Sequence, residues 1–185
     1  MRPGSYGWDF PLPRTHTGIL QGNGTLGAMV WGEKNVLKIT LGRSDLWDHR
    51  GGMPWTAKMS FANIRNCLEQ NDEKRLRELF ERAAHGKGEP SSPSIIPVGR
   101  VELEFGKDVA LLSGCLLLDD GAITVKAAAG GKPVSFDIHF DMQHPALVIR
   151  LPRALRSVSV RHMPSWDSLR ERLASISFNA PERLN

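Results

Sequence analysis

Hydrophobic and polar residues alternate along most of this chain, and the period changes in one region only. Val36-Leu37-Lys38-Ile39-Thr40-Leu41, Val101-Glu102-Leu103-Glu104-Phe105 and Val158-Ser159-Val160-Arg161-His162 each repeat every second residue. Successive side chains of a strand point to opposite faces, so this period marks strands with one face on a core and the other toward water. Residues 19–41 predict two or three strands, 111–118 a more apolar one, and 122–128, 134–142 and 146–151 three more. Glu33-Lys34-Asn35, Asp119-Asp120-Gly121 and Gly130-Gly131-Lys132 supply turns. Asn23-Gly24 between apolar flanks predicts a type I′ hairpin, whose two central residues both need positive φ. Short strands at this spacing with glycine-rich turns predict a mainly β fold, an antiparallel β-sandwich.

The period becomes 3.6 within residues 60–84. Phe61, Ile64, Cys67 and Leu68 share one helical face behind Ser60, an N-cap residue. Asn71 or Asp72 starts a second helix, in which Leu76, Leu79, Phe80 and Ala83 repeat the stripe and Glu73, Lys74, Arg75, Arg77 and Glu78 fill the outer face. Gly86 and Gly88 end it. A helical pair is therefore inserted between strands. Residues 1–18, with Tyr6, Trp8, Phe10, Pro11 and Pro13, form an extended lead-in; 19–164 form the sandwich. Residues 165–185 form a C-terminal extension with a short helix and, at Ile176-Ser177-Phe178, the start of a further strand, and it stops without a closing strand.

Composition adds limits. At 185 residues the chain is one domain, or a piece of a larger protein, able to bury a core. A hydrophobic fraction of 41% and a charged fraction of 24% argue against disorder, and no apolar run reaches membrane-spanning length. The net charge of +4 collects in late arginines, without the dense basic face interleaved with aromatics that nucleic acid would require. No nucleic-acid or membrane partner is expected. Cys67 and Cys115 have no metal-type spacing and are expected to be small buried hydrophobes. Met1-Arg2-Pro3-Gly4-Ser5 has no apolar core of a secretory signal, so no compartment is assigned from it.

Several stretches invite chemistry. Gly22-x-Gly24-x-x-Gly27, with Asp45 downstream, spells a dinucleotide-binding fingerprint, but that function needs a helix opening at the glycines. Here Gly32 interrupts after Ala28-Met29-Val30-Trp31 and an alternating run follows, which argues against it. Residues 44–55 form a loop with two acids and two tryptophans, in which Asp45, Trp47, Asp48 and His49 cluster. Facing a sugar, tryptophan offers an apolar surface and the acids accept hydroxyl hydrogen bonds; facing inward, Trp47 plugs the sandwich end and the acids cap turns, the favoured alternative. Asp137, His139 and Asp141 alternate on one strand face and could ligate a divalent metal; a solvated face is favoured, and no metal or cofactor is expected. Arg156, Arg161 and His162 could meet an anion or form an ordinary surface strand, the latter being favoured.

The order of these parts resembles the N-terminal β-sandwich domain of glycoside hydrolase family 95, the α-L-fucosidase type, and its close relatives. Gly22 to Val30 is similar to that family's opening Gly-Asn-Gly-x-Leu-Gly-Ala-Met-Val stretch, and Leu41 to Trp47 to its Asp-x-Leu-Trp segment, with Arg43-Ser44 where Asn-Glu is usual. Pro97-Val98-Gly99-Arg100-Val101, Leu116-Leu117-Leu118-Asp119-Asp120-Gly121 and His144-Pro145-Ala146-Leu147-Val148 follow in the family's order. The resemblance implies an accessory domain in front of a catalytic (α/α)6 barrel of the same polypeptide, acting on a carbohydrate substrate. An extracellular or periplasmic location is compatible with the resemblance, and the compartment is left unassigned. Inverting hydrolysis needs an acid and a base across the scissile bond, and both belong to the barrel. No catalytic residue is therefore assigned here, and the chain alone is expected to hydrolyse nothing. Asn23, Asp45, Trp47, Asp48 and His49 are the candidates for contact with substrate or barrel. The alternatives are a free-standing carbohydrate-binding module and a pure scaffold.

Overall fold

The computed structural model describes residues 4–49, 55–81, 93–165, 170 and 174. The strands are β1 (Ser5–Asp9), β2 (Ile19–Gly22), β3 (Leu26–Glu33), β4 (Val36–Arg43) and β5 (Trp47–Asp48), then β6 (Ser94–Ile95) and β7 (Gly99–Phe105). After these come β8 (Val109–Leu117), β9 (Ile123–Ala129), β10 (Lys132–Phe140), β11 (Leu147–Arg150) and β12 (Val158–Pro164). Helices α1 (Phe61–Glu69) and α2 (Glu73–Phe80) lie between β5 and β6.

Two five-stranded antiparallel sheets result, β1-β8-β9-β10-β11 (sheet A) and β12-β7-β4-β3-β2 (sheet B). They make the mainly β sandwich that the alternation predicts. The lead-in contributes an edge strand, since β1 pairs with β8 from Ser5↔Leu117 to Asp9↔Ser113. One face of each sheet carries the apolar residues. Ile19, Ala28, Val30, Leu37, Ile39, Leu103 and Phe105 of sheet B share a single core with Val109, Leu111, Ile123, Val125, Phe136, Ile138 and Phe140 of sheet A. Burying a side chain such as Phe136 or Ile138 contributes roughly 1.5–3 kcal/mol each, which makes this shared face the main source of stability. Leu155, 1% exposed, joins the core from the connection between β11 and β12.

The turns carry two lessons. Gly130 and Gly131 have φ of 54° and 75° and link Ala129 to its partner Lys132 in a two-residue hairpin, so the double positive φ occurs there. At Asn23-Gly24 only Gly24 has positive φ, and a longer turn runs from Gly22 to its partner Gly27. The I′ expectation for that site is corrected. Asn23 instead bends the chain with its own side chain, as described below. The glycines lead into strand β3, not a helix, which removes the geometry that a pyrophosphate needs.

The chain divides into two compact units, one holding residues 1–46 and 95–185 and the other 47–94. In the second, Ser60 Oγ accepts from the Asn63 N–H at 3.3 Å and Asp72 Oδ1 from the Arg75 N–H at 3.0 Å, capping α1 and α2 as the sequence predicts. Asn71, at φ 50°, makes the reversal between them. The apolar stripe of α1 is only partly covered, however: Cys67 is 2% exposed but Phe61 is 79% and Leu68 60% exposed. Residues 82–92 and most of the C-terminal extension, with Ala83 and Ile176-Ser177-Phe178, lie outside the described residues.

Candidate functional site

Asn23 sits at the tip between β2 and β3. Its Oδ1 accepts the N–H groups of Leu26 at 2.9 Å and Thr25 at 3.2 Å. Its Nδ2 donates to the carbonyls of Asp141 at 2.7 Å and His144 at 3.0 Å, which lie in the turn between β10 and β11. One amide thus shapes its own turn and ties a tip of sheet B to a turn of sheet A. That second turn is itself held by Asp141, whose Oδ1 accepts from Gln143 N at 2.8 Å and His144 N at 3.2 Å and whose Oδ2 meets His144 Nδ1 at 3.2 Å. The Gln143 N–H first, and His144 next, hold the Asp141 carboxyl below its ordinary value. Nearby, buried Gln21 donates its Nε2 to the carbonyls of Gly121 and Ile138, another link from β2 to sheet A.

This geometry corrects one sequence expectation. Strand β10 ends at Phe140, so Asp141 turns away into its own turn and does not line up with Asp137 and His139. Asp137 accepts a hydrogen bond from the Thr124 hydroxyl across the sheet at 2.8 Å. The three groups do not converge on one point.

The loop candidates fall in both compact units. Asp45 is gripped by Arg43 through a fork, Nε to Oδ1 at 2.9 Å and Nη2 to Oδ2 at 2.6 Å. That hydrogen bond lowers the Asp45 carboxyl and raises the Arg43 guanidinium. Asp45 belongs to the sandwich unit, whereas Trp47, Asp48 and His49 open the other unit. There Trp47, 39% exposed, stacks on His49 with ring centres 6.4 Å apart and planes 23° apart. Asp48 lies in the two-residue strand β5, which pairs with β6. Residues 50–54 lie outside the described residues.

Two features escape the linear sequence. Cys115, expected in the core, is half-buried and lines a hollow of about 600 Å3 on the outer face of sheet A with Ser113, Thr124 and Lys126. The register Gly7↔Cys115↔Thr124 sets it opposite the apolar face, which is why the burial expectation fails there. On the outer face of sheet B, Trp31, Lys38, Glu102 and Arg161 stand side by side on four adjacent strands. Lys38 Nζ lies 4.7 Å from the Trp31 ring centre. Glu102 is buried, and its oxygens take Arg100 Nε at 2.7 Å and Arg161 Nη2 at 3.2 Å. Arg161 is thus an ion-pair partner on a surface strand.

Residues 4–170 match the family described as glycosyl hydrolase family 65, N-terminal domain. The chain belongs to that family. The match agrees with the resemblance in its broader part, an N-terminal sandwich domain of a glycoside hydrolase, and names family 65 where the motifs suggested family 95. No curated protein matches the chain.

Proposed function

We propose that this chain is the accessory N-terminal domain of a glycoside hydrolase of α-L-fucosidase type, supporting a catalytic (α/α)6 barrel of the same polypeptide. The observation that supports an N-terminal domain of a glycoside hydrolase is the family match across residues 4–170, which spans both sheets of the sandwich. The fucosidase type rests on the motif resemblance of Gly22 to Val30 and Leu41 to Trp47. In this reading Asn23 keeps the end of the sandwich rigid, and the loop of Asp45, Trp47, Asp48 and His49 meets the barrel or the entrance to its substrate cleft. The Arg43 fork leaves Asp45 ionised and fixed, a suitable acceptor for a sugar hydroxyl or a barrel N–H. The stacked Trp47 and His49 rings offer the flat apolar face that a pyranose prefers.

The test uses the parent reading frame, expressed with and without residues 1–185. Removing them is expected to lower soluble yield and thermal midpoint of the barrel, and the intact protein to cleave aryl α-L-fucosides above aryl α-glucosides. A parent with no downstream barrel, or one that ignores fucosides, overturns the respective half of the proposal. The exposed Trp55, at 80%, favours a second reading as a carbohydrate-binding module. Glycan binding by the chain alone that disappears in Trp47→Ala or Trp55→Ala would support that module instead.

A further inference from the structure

We propose that a hollow on the outer face of sheet B, beside Arg100, is a binding site for a carboxylate group. It has a volume of about 380 Å3, within the range of small-molecule sites, and its lining includes Thr15, Thr40, Pro97, Arg100, Met163 and Pro164. Register places three of these in one row: Thr40 pairs with Arg100, and Arg100 with Met163, so their side chains share the face. Thr15 reaches the row from the short 3-10 turn Thr15–Thr17 that precedes β2.

The donors in this hollow follow from the hydrogen bonds around it. Trp31 Nε1 donates to Thr40 Oγ1 at 3.0 Å, and Thr40 Oγ1 lies 3.3 Å from Thr15 Oγ1. If Thr40 donates to Thr15, the Thr15 proton is left over; if Thr15 donates, the Thr40 proton is left over. Either way one hydroxyl hydrogen remains for a ligand. Arg100 spends its Nε on Glu102, while neither of its Nη groups takes part in a hydrogen bond or ion pair among the described residues. Its side chain is 40% exposed, so those groups remain reachable.

The local guanidinium favours an anion. Glu102, the nearest carboxylate, is already engaged by two guanidiniums, those of Arg100 and Arg161. Arg161 also reaches Glu104 at 3.6 Å, and Lys38 stands opposite Glu102. With Glu33, two residues past Trp31 on the same face, three cations meet three carboxylates, so it is not a surplus of charge that pulls on an anion but the Arg100 guanidinium itself. A carboxylate fits it: one oxygen takes the Nη groups of Arg100, the other takes the free threonine hydroxyl, and Met163 and the prolines flank the carbon skeleton. The carboxylate could belong to a sugar acid or to a small free acid, and the test separates the two. The inference does not depend on the hydrolase reading, because binding and not turnover is measured.

The Trp31 indole N–H, tied to the hollow through Thr40, is a reporter in a heteronuclear NMR titration of the 185-residue chain at constant ionic strength. Sodium D-glucuronate is expected to shift it saturably, in the millimolar range usual for a partly exposed ion pair, while D-glucose leaves it in place. Acetate binding as tightly as glucuronate assigns the site to small free acids; weaker acetate binding assigns it to sugar acids. Arg100→Gln should abolish the shift, Arg100→Lys should retain part of it, and the double change Thr15→Val with Thr40→Val, which removes both hydroxyls, should weaken binding about three- to tenfold, the worth of one hydrogen bond. The double change leaves the Arg100 and Glu102 pair intact, so it decides the matter if Arg100→Gln fails to fold. No saturable shift by about 50 mM glucuronate, a range far above ordinary millimolar affinity, or an equal shift with glucose, overturns the site.

Discussion

The sandwich unit and the helical unit are held together by different physics. In the sandwich, every second residue of the central strands enters one shared core, and Ile19, Val30, Leu37, Ile123, Val125 and Ile138 are all fully buried. In the helical unit Cys67 is the one fully buried side chain on α1, and α2 has none among the described residues. Local devices carry those helices: the Ser60 and Asp72 caps, and the i,i+4 pairs Arg65–Glu69, Arg77–Glu73 and Arg77–Glu81. Exposed pairs of that kind contribute little in water, and short helices with so little buried surface of their own are only weakly held. The lesson is that hydrophobic spacing reports a stripe but not how completely it is covered.

The largest break in this comparison is expected in the core. Phe136→Ala should cost about 3–5 kcal/mol in chemical denaturation, through lost burial and the cavity it leaves. Phe61→Ala, on an equally large apolar residue that is 79% exposed, should change stability by less than about 0.5 kcal/mol. Equal losses at the two sites would show that α1 is covered. Next comes Asn23→Ala, which removes both the turn hydrogen bonds and the tie to the turn between β10 and β11. It should cost about 1–3 kcal/mol and raise hydrogen exchange at Thr25 and Leu26. A smaller loss, about 1 kcal/mol, is expected for Asp72→Ala, and it should appear as fraying of α2. An unchanged α2 would mean that packing, not capping, starts that helix.

The smallest effect concerns pH. The Asp141 carboxyl is held below its ordinary 3.8, first by the Gln143 N–H and then by His144. A group with a depressed folded value stabilises the fold above its unfolded value, and that contribution is lost as pH falls through the folded one. Acid titration below pH 3.8 should therefore loosen the turn after β10, seen as faster exchange at the Gln143 and His144 amides. Asp141→Asn should keep the turn but remove this pH response.

Much of the sandwich was legible because alternation and turn residues are local. The runs around Val36, Val101 and Val158 are β4, β7 and β12, Ser60 caps α1 as its spacing predicts, and of the two candidate starts for α2, Asn71 and Asp72, it is Asp72 that caps it. Three things were not legible. Proline and glycine hid β1 within the lead-in, although its pairing with β8 is regular. The alternation of Asp137, His139 and Asp141 runs one residue past the end of β10, where the side chain of Asp141 begins a turn. The hollow at Arg100 depends on Thr40 and Arg100, sixty positions apart in the chain, becoming neighbours, and register of that kind leaves no local trace. Asn23 was singled out as a contact residue, and its carboxamide is already spent on four backbone partners. Its mapped bonds are those of a structural tie.

The central claim is that this chain lends a sandwich to a sugar-cleaving protein without itself breaking a bond. It is tested most directly by incubating the purified 185-residue chain with an aryl α-L-fucoside, after cooperative unfolding has verified that it is folded. Release of the aryl group at the rate seen in buffer alone is the expected result. Turnover above buffer that a single acid-to-amide change abolishes would contradict it.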